Sequence, residues 1–264
     1  MEGSSWLWMA AAALPGGFLA YRLHLLSASG AIAATAFGCC LLILGDARWL
    51  MLALAFFIPS SALSKLGRRR KSAAEARVEK GSRRDAGQVL ANGGAAWAAL
   101  GLHALWAGEV WALGFAGALA AAAADTWATE IGGLARSTPR MITTGRPVPP
   151  GTSGGVTLLG CAASLAGALF IALMAMALGL ATGWGVPVVA VAGVLGSLTD
   201  SVVGATLQAL YRDVQGSMTE RAEMAGQPNE LIRGVAWMTN DAVNLAATVV
   251  GLATAAALGW WIAV

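Results

Sequence analysis

Charge is scarce in this chain: Asp, Glu, Lys and Arg make up 12% of its 264 residues, about half of what a soluble domain carries. That excludes an ordinary water-facing globule. The net charge of +3 is read as membrane topology first, and no nucleic-acid partner is expected. Histidine is rarer still, with His24 and His103 far apart in sequence. Two isolated imidazoles do not make a metal cluster, and a packing or interfacial role is expected for both. Cys39, Cys40 and Cys161 fall inside apolar runs without CxxC spacing, which argues against a disulfide framework and against a zinc site.

What is present is apolar. Hydrophobic residues are 57% of the chain and mean hydropathy is +0.66. Runs near 4–21, 27–45, 48–64, 86–106, 109–131, 155–181, 185–207 and 232–263 are long enough to cross a bilayer, which takes about 20 helical residues. The fold class expected is therefore an all-α polytopic membrane helix bundle of about eight transmembrane helices, between seven and nine. The first run reads as a membrane helix rather than a cleavable signal, because Glu2 stands where a signal carries basic residues.

Orientation follows from the 17 Lys and Arg, since basic residues collect in cytoplasmic loops. With the N-terminus outside, every one but Arg48 falls on a cytoplasmic loop or helix end. The chain then reads as one integral membrane domain, 1–264, with sizeable cytoplasmic loops at 65–85, 132–154 and 208–231 and very short outer loops. The basic loop 65–85 suits anionic lipid headgroups. Loop 132–154 holds Pro139, Pro147, Pro149 and Pro150 with glycines at both ends, which excludes a continuous helix. Gly160, Ser164 and Gly167 beyond it are read as close-packing residues. The cytoplasmic membrane is the default location, with a photosynthetic membrane as the other option.

Four carboxylates fall inside the apolar runs: Asp125, Glu130, Asp200 and Asp241. Charge at such depth usually faces a bundle interior or a water-filled cavity, and in the expected topology all four lie toward the cytoplasmic side. Arg84, Gln88 and Asn92 recur every four residues, with Asp85 beside them, as one polar stripe. Ser197, Asp200, Ser201 and Gly204 share a face, as do Asn240, Asp241 and Asn244.

Carboxylate, amide and hydroxyl oxygens without His or Cys suit a hard ion such as Mg²⁺. Arg136, Arg140 and Arg146, beside the Gly/Thr-rich "PPGTSGG", suit phosphate oxygens. Metal acids next to phosphate donors imply phosphoryl chemistry at a cytoplasmic-side active site. Asp125 and Glu130 are five apart, about 140° around a helix, so they share one ion only if the helix frays near Gly132–Gly133 or other helices complete the site. On composition and spacing alone, a transporter with an acidic ion path stands beside a phosphate-handling enzyme.

The blocks "QVLANGG", "DTWATEIGGLARSTPRMITTGRPVPPGTSGGVTLLGCAAS", "GSLTDSVVGATLQ" and "NDAVNLAA", in that order, resemble the membrane protein family that contains the plant phytyl-phosphate kinase of vitamin E synthesis. The resemblance spans about residues 80–250. It implies a kinase that uses CTP as phosphoryl donor to convert a polyprenyl monophosphate, phytyl or geranylgeranyl, to the diphosphate. More distantly, an acidic residue followed by a Gly/Pro-rich loop is similar to dolichol kinases, phytol kinases and CDP-diacylglycerol synthase. The resemblance implies that Asp125 and Glu130 belong to the nucleotide–Mg²⁺ site. It puts Thr144, Gly151, Thr152, Ser153, Gly154 and Gly155 in the phosphate-holding loop, with Asp200, Asn240, Asp241 and Asn244 in later motifs. Arg140 and Arg146 stand where related enzymes often carry Lys. Arg84, Gln88, Asn92 and Ser201 are expected around the substrate. The partners implied are a prenyl-phosphate lipid, a nucleotide and the surrounding membrane lipids. A prenyl-alcohol kinase and a CTP-using cytidylyltransferase are the alternative enzymes.

Overall fold

The computed structural model describes residues 5–65, 83–224 and 226–263. Eight helices lie within them: α1 (Ser5–Arg22), α2 (Ala28–Leu44), α3 (Ala47–Lys65), α4 (Ala86–Leu105), α5 (Glu109–Gly132), α6 (Leu158–Ala177), α7 (Gly185–Thr206) and α8 (Asn240–Ala263). Five of them, α3, α5, α6, α7 and α8, are long and apolar enough to cross a membrane. The central part of the basic loop expected at 65–85, residues 66–82, lies outside the described residues.

Helix α5 is the axis of the bundle. Residues Ala112 to Ala124 are buried without interruption, so no face of that stretch meets lipid or water. A helix enclosed on all sides has room only for small side chains, and "ALGFAGALAAAAA" supplies them. The contacts are backbone-close. A Cβ at Gly251 of α8 would lie 2.5 Å from the Gly117 carbonyl oxygen, and one at Gly193 of α7 would lie 2.9 Å from the Ala120 Cβ. On α6, a Cβ at Gly167 would meet the Ala123 carbonyl oxygen at 2.9 Å and one at Gly160 the Ala128 carbonyl oxygen at 3.1 Å. The small residues at 160, 164 and 167 are therefore packing residues, with Ser164 buried among them.

Helix starts are set by local caps. Ser27 accepts from the Gly30 N–H at 3.1 Å and Thr157 from the Gly160 N–H at 3.0 Å. Asp85 and Gln88 form a reciprocal capping box on α4. The 83–85 segment is stitched to the α1–α2 turn, where the Arg84 N–H donates to Leu25 O and Arg84 O accepts from the Ser27 N–H. Lys65 Nζ reaches Leu23 O and Arg83 Nε reaches Leu26 O. The α1–α2 turn, the end of α3 and the start of α4 thus meet at one end of the bundle.

The two connections at that end which carry the remaining motifs are not plain loops, and here the all-α expectation needs correcting. Residues 133–157 form a connection with β1 (Arg140–Met141) antiparallel to β2 (Gly155–Val156), so α6 begins at Leu158 and not at 155. Between α7 and α8, β3 (Leu210–Arg212) is flanked by β4 (Met218–Thr219) and β7 (Glu230–Arg233), with β5 (Glu223–Met224) and β6 (Gln227–Pro228) as a side hairpin. The last apolar run, read from 232, is strand up to Arg233 and turns helical only at Asn240. Gly234, at φ +79°, breaks the pattern between them. The His103 ring packs at a tilt against Trp49, 4.8 Å between centroids, and Cys39, Cys40 and Cys161 are not joined in disulfides.

Candidate functional site

Asp125 lies two turns before the end of α5, just beyond the fully enclosed Ala112–Ala124 stretch. Asp200 lies in the last two turns of α7. Their carboxyl groups meet in a side-chain hydrogen bond. Two carboxylates so close repel unless a proton or a cation lies between them. One oxygen of that pair, Asp200 Oδ2, is buried without a hydrogen-bond partner from a donor group. That is a donor set facing inward and unfinished.

The groups that act on this pair extend it in both directions. Glu130, a turn and a half beyond Asp125 on α5, acts on Asp125 electrostatically, and Glu220, beside strand β4, acts on Asp200. Each outer carboxylate faces an arginine. Arg84 faces Glu130, and its guanidinium lies 5.5 Å from the centroid of the Phe56 ring. Burial holds Arg84 below the ordinary arginine value, and the Glu130 charge works against that shift. Arg233, at the end of β7, faces Glu220 and donates from Nη2 to Gly204 O at 2.9 Å. Burial lowers its pKa too, with Glu220 opposing.

The glycine loop reaches the same place from the hairpin. Ser153 Oγ donates to Glu220 Oε1. Gly154 has φ +83°, and a Cβ on it would run into Ala205 of α7. Only glycine takes that conformation at that distance, so the loop is pinned to the α7 end one turn beyond Asp200. Before it, Thr152 closes its own turn, Oγ1 donating to Pro149 O at 2.7 Å.

Several residues expected at the site lie elsewhere or are already engaged. The helix does not fray after Glu130: α5 stays regular through Gly132, because Gly132 and Gly160 let α5 and α6 touch there. The group that meets Asp125 comes from another helix and is Asp200. Asp241 lies half-buried in the first turn of α8, and Glu220, after β4, acts on Asp200. Arg136, Arg140 and Arg146 lie on the connection between α5 and α6. They are exposed on the hairpin side with Thr144 and Gly151, and Arg140 Nη1 closes the turn by donating to Gly145 O at 2.8 Å. Gln88 caps α4, and Asn92 Nδ2 donates back to Gln88 O. Ser201, Asn240 and Asn244 are half-buried, and Asn240 lines a cavity of about 50 Å³ with Gln208, Glu220 and Thr239.

Glu220, Arg233 and Gln208 were not anticipated. Only the turn was signalled, by Asp213 and Gly216 in "YRDVQGSMT". Asp213 Oδ1 indeed accepts from the N–H groups of Gln215 and Ser217. That hairpin carries Glu220 inward, and its other neighbour, β7, carries Arg233.

An integral membrane helix bundle whose loop-bearing end gathers paired carboxylates, arginines and a glycine loop is the class these features define. The profile of the integral membrane protein family DUF92 matches residues 11–252, and the chain belongs to that family. It is 34% identical to Protein PGR of Arabidopsis thaliana over 75% of this chain and 76% of the relative. An uncharacterized membrane protein of Methanocaldococcus jannaschii is 32% identical over 84% of this chain and 81% of its own. Protein VTE6, chloroplastic, of Arabidopsis thaliana is 27% identical over 76% and 55%. No solved structure matches the chain.

Proposed function

We propose that this protein is a CTP- and Mg²⁺-dependent prenyl-phosphate kinase, which makes a phytyl or geranylgeranyl diphosphate from the monophosphate at the cytoplasmic membrane face. The observation that carries the reading is the Asp125–Asp200 contact, with the unpartnered Asp200 Oδ2 beside it and a glycine loop pinned one turn away. The motif resemblance to the plant phytyl-phosphate kinase family and the kinship with VTE6 support the same chemistry.

The residues present fit Mg²⁺. Among the described residues no three His, Cys, Asp or Glu side chains gather as a self-sufficient metal cluster. Mg²⁺ commonly takes only one or two carboxylates and completes its shell with water and substrate phosphates. Asp125 and Asp200 would hold it, and when bound it would neutralise phosphate charge. In the transfer, a phosphate oxygen of the lipid forms a bond to the γ-phosphorus of CTP. The bond from that phosphorus to the β-bridging oxygen breaks, and CDP leaves with the electron pair. The attacking oxygen is already anionic, so no strong general base is required. The protein's part is positioning and charge complementarity. Glu130 and Arg84 fix the lipid side of the pair, and the Ser153–Gly154 loop fixes the other. The isoprenoid tail would lie among helices α4 to α8.

The deciding experiment offers the purified protein a matrix of nucleotides and lipids, with products read by mass spectrometry. CDP plus a prenyl diphosphate is expected from CTP with phytyl or geranylgeranyl phosphate. Pyrophosphate release would mean nucleotidyl transfer instead, product from the free alcohol would mean an alcohol kinase, and no product with any pair would end the kinase reading.

A further inference from the structure

We propose that Arg233 grips a phosphate of the nucleotide donor and that the Glu220 carboxylate holds that phosphate's place until it arrives; this rests on the kinase reading of the site. Arg233 is delivered with little freedom. It ends β7, paired with Leu210 of β3, and the chain turns at once at Gly234, where a Cβ would collide with the Gln208 backbone. One arm of the guanidinium is anchored to Gly204 O on α7. Its Nε is buried with no partner. A buried donor left unmade is costly in a static protein and useful in one that awaits an acceptor.

Glu220 shows what that acceptor looks like. Its carboxylate takes the Ser153 hydroxyl hydrogen bond and faces the Arg233 guanidinium, as a phosphate's oxygens would. Yet it also faces Asp200, and like charges at close range make it a poor permanent occupant. Gln208, 3% exposed, leaves its Nε2 unpartnered as well, at the cavity that Glu220 lines. An arginine fork, a hydroxyl and an amide around a replaceable carboxylate form an anion site. The hairpin arginines singled out from the sequence lack this placement.

The two roles predict opposite signs, which a merely structural role does not. Inorganic pyrophosphate with Mg²⁺ serves as the probe, titrated into the full-length protein in detergent by calorimetry. Arg233→Gln should weaken binding by at least about tenfold, the scale of one charged hydrogen bond, with Arg233→Lys in between because a point charge replaces a fork. Glu220→Gln should tighten it severalfold. Pyrophosphate affinity unchanged in Arg233→Gln, or lowered in Glu220→Gln, overturns the proposal. If Arg233→Gln does not fold, the Lys variant and Glu220→Gln still decide it by sign. CTP turnover separates the two claims: wild type that turns over with an affinity indifferent to Arg233 loses only the Arg233 role. Arg233-dependent pyrophosphate binding in a protein inert toward every nucleotide and lipid keeps the anion site and removes the kinase.

Discussion

At the scale of single residues, the proposed chemistry rests on two aspartates that the bundle brings together from α5 and α7. Asp125→Asn and Asp200→Asn should each lower turnover by at least about a hundredfold, the scale of one lost charge-stabilising group at a transition state, with circular dichroism and thermal unfolding in detergent near wild type. Full activity in either variant would remove the pair from the mechanism. Glu130→Gln acts one position further out and should cost less, mostly through loss of its pairing with Arg84. Chelation of divalent ions should stop turnover, and Mg²⁺ alone should restore it; activity that survives exhaustive chelation would count against the ion. Asp125, Asp200 and Ser153 were legible in the sequence, because charge inside an apolar run and glycines around a hydroxyl need an explanation. Glu220 and Arg233 were not, since a carboxylate or guanidinium in a polar connection looks like ordinary solvated charge until a strand register turns it inward.

At the scale of elements, helix positions were legible because apolar length alone marks them. Two details were not. The short strands of β3, β4 and β7 are two to four residues each, too brief for alternation to stand out. The regular end of α5 depends on Gly132 meeting Gly160, a contact between helices that no local pattern announces. The enclosed face of α5 makes a further expectation. Gly193→Leu would place a branched side chain where even a Cβ meets Ala168 at 2.8 Å, so it should destabilise the bundle by about 1–3 kcal/mol, read as a lower unfolding temperature in detergent. The same substitution at Gly16, where nothing lies within 4 Å of a Cβ, should be nearly silent. Equal effects at both would mean that close packing on α5 is not what holds the helices.

At the scale of the whole molecule, the described Lys and Arg other than Arg48 share one end with the acidic cluster, so a single orientation sets which compartment that end faces. On a background without Cys39, Cys40 and Cys161, Thr144→Cys in the hairpin should react with an impermeant thiol reagent only from the cytoplasmic side. Thr182→Cys, exposed at the opposite end, should react only from outside. The reverse pattern would invert the topology read from Arg and Lys. The enclosure of α5 bears, finally, on how the chain is made. With a mean hydropathy of 1.2, the lowest of the five apolar spans, α5 leaves the ribosome before α6, α7 and α8, the neighbours that will surround it. Its alanines give it little hold on lipid while it waits, so a nascent chain halted before Asn240 has its most important helix in the bilayer without its last wall. Such truncated chains should be degraded faster than the full-length chain in a pulse-chase, and equal lifetimes would mean that α8 is not needed to hold α5 in place.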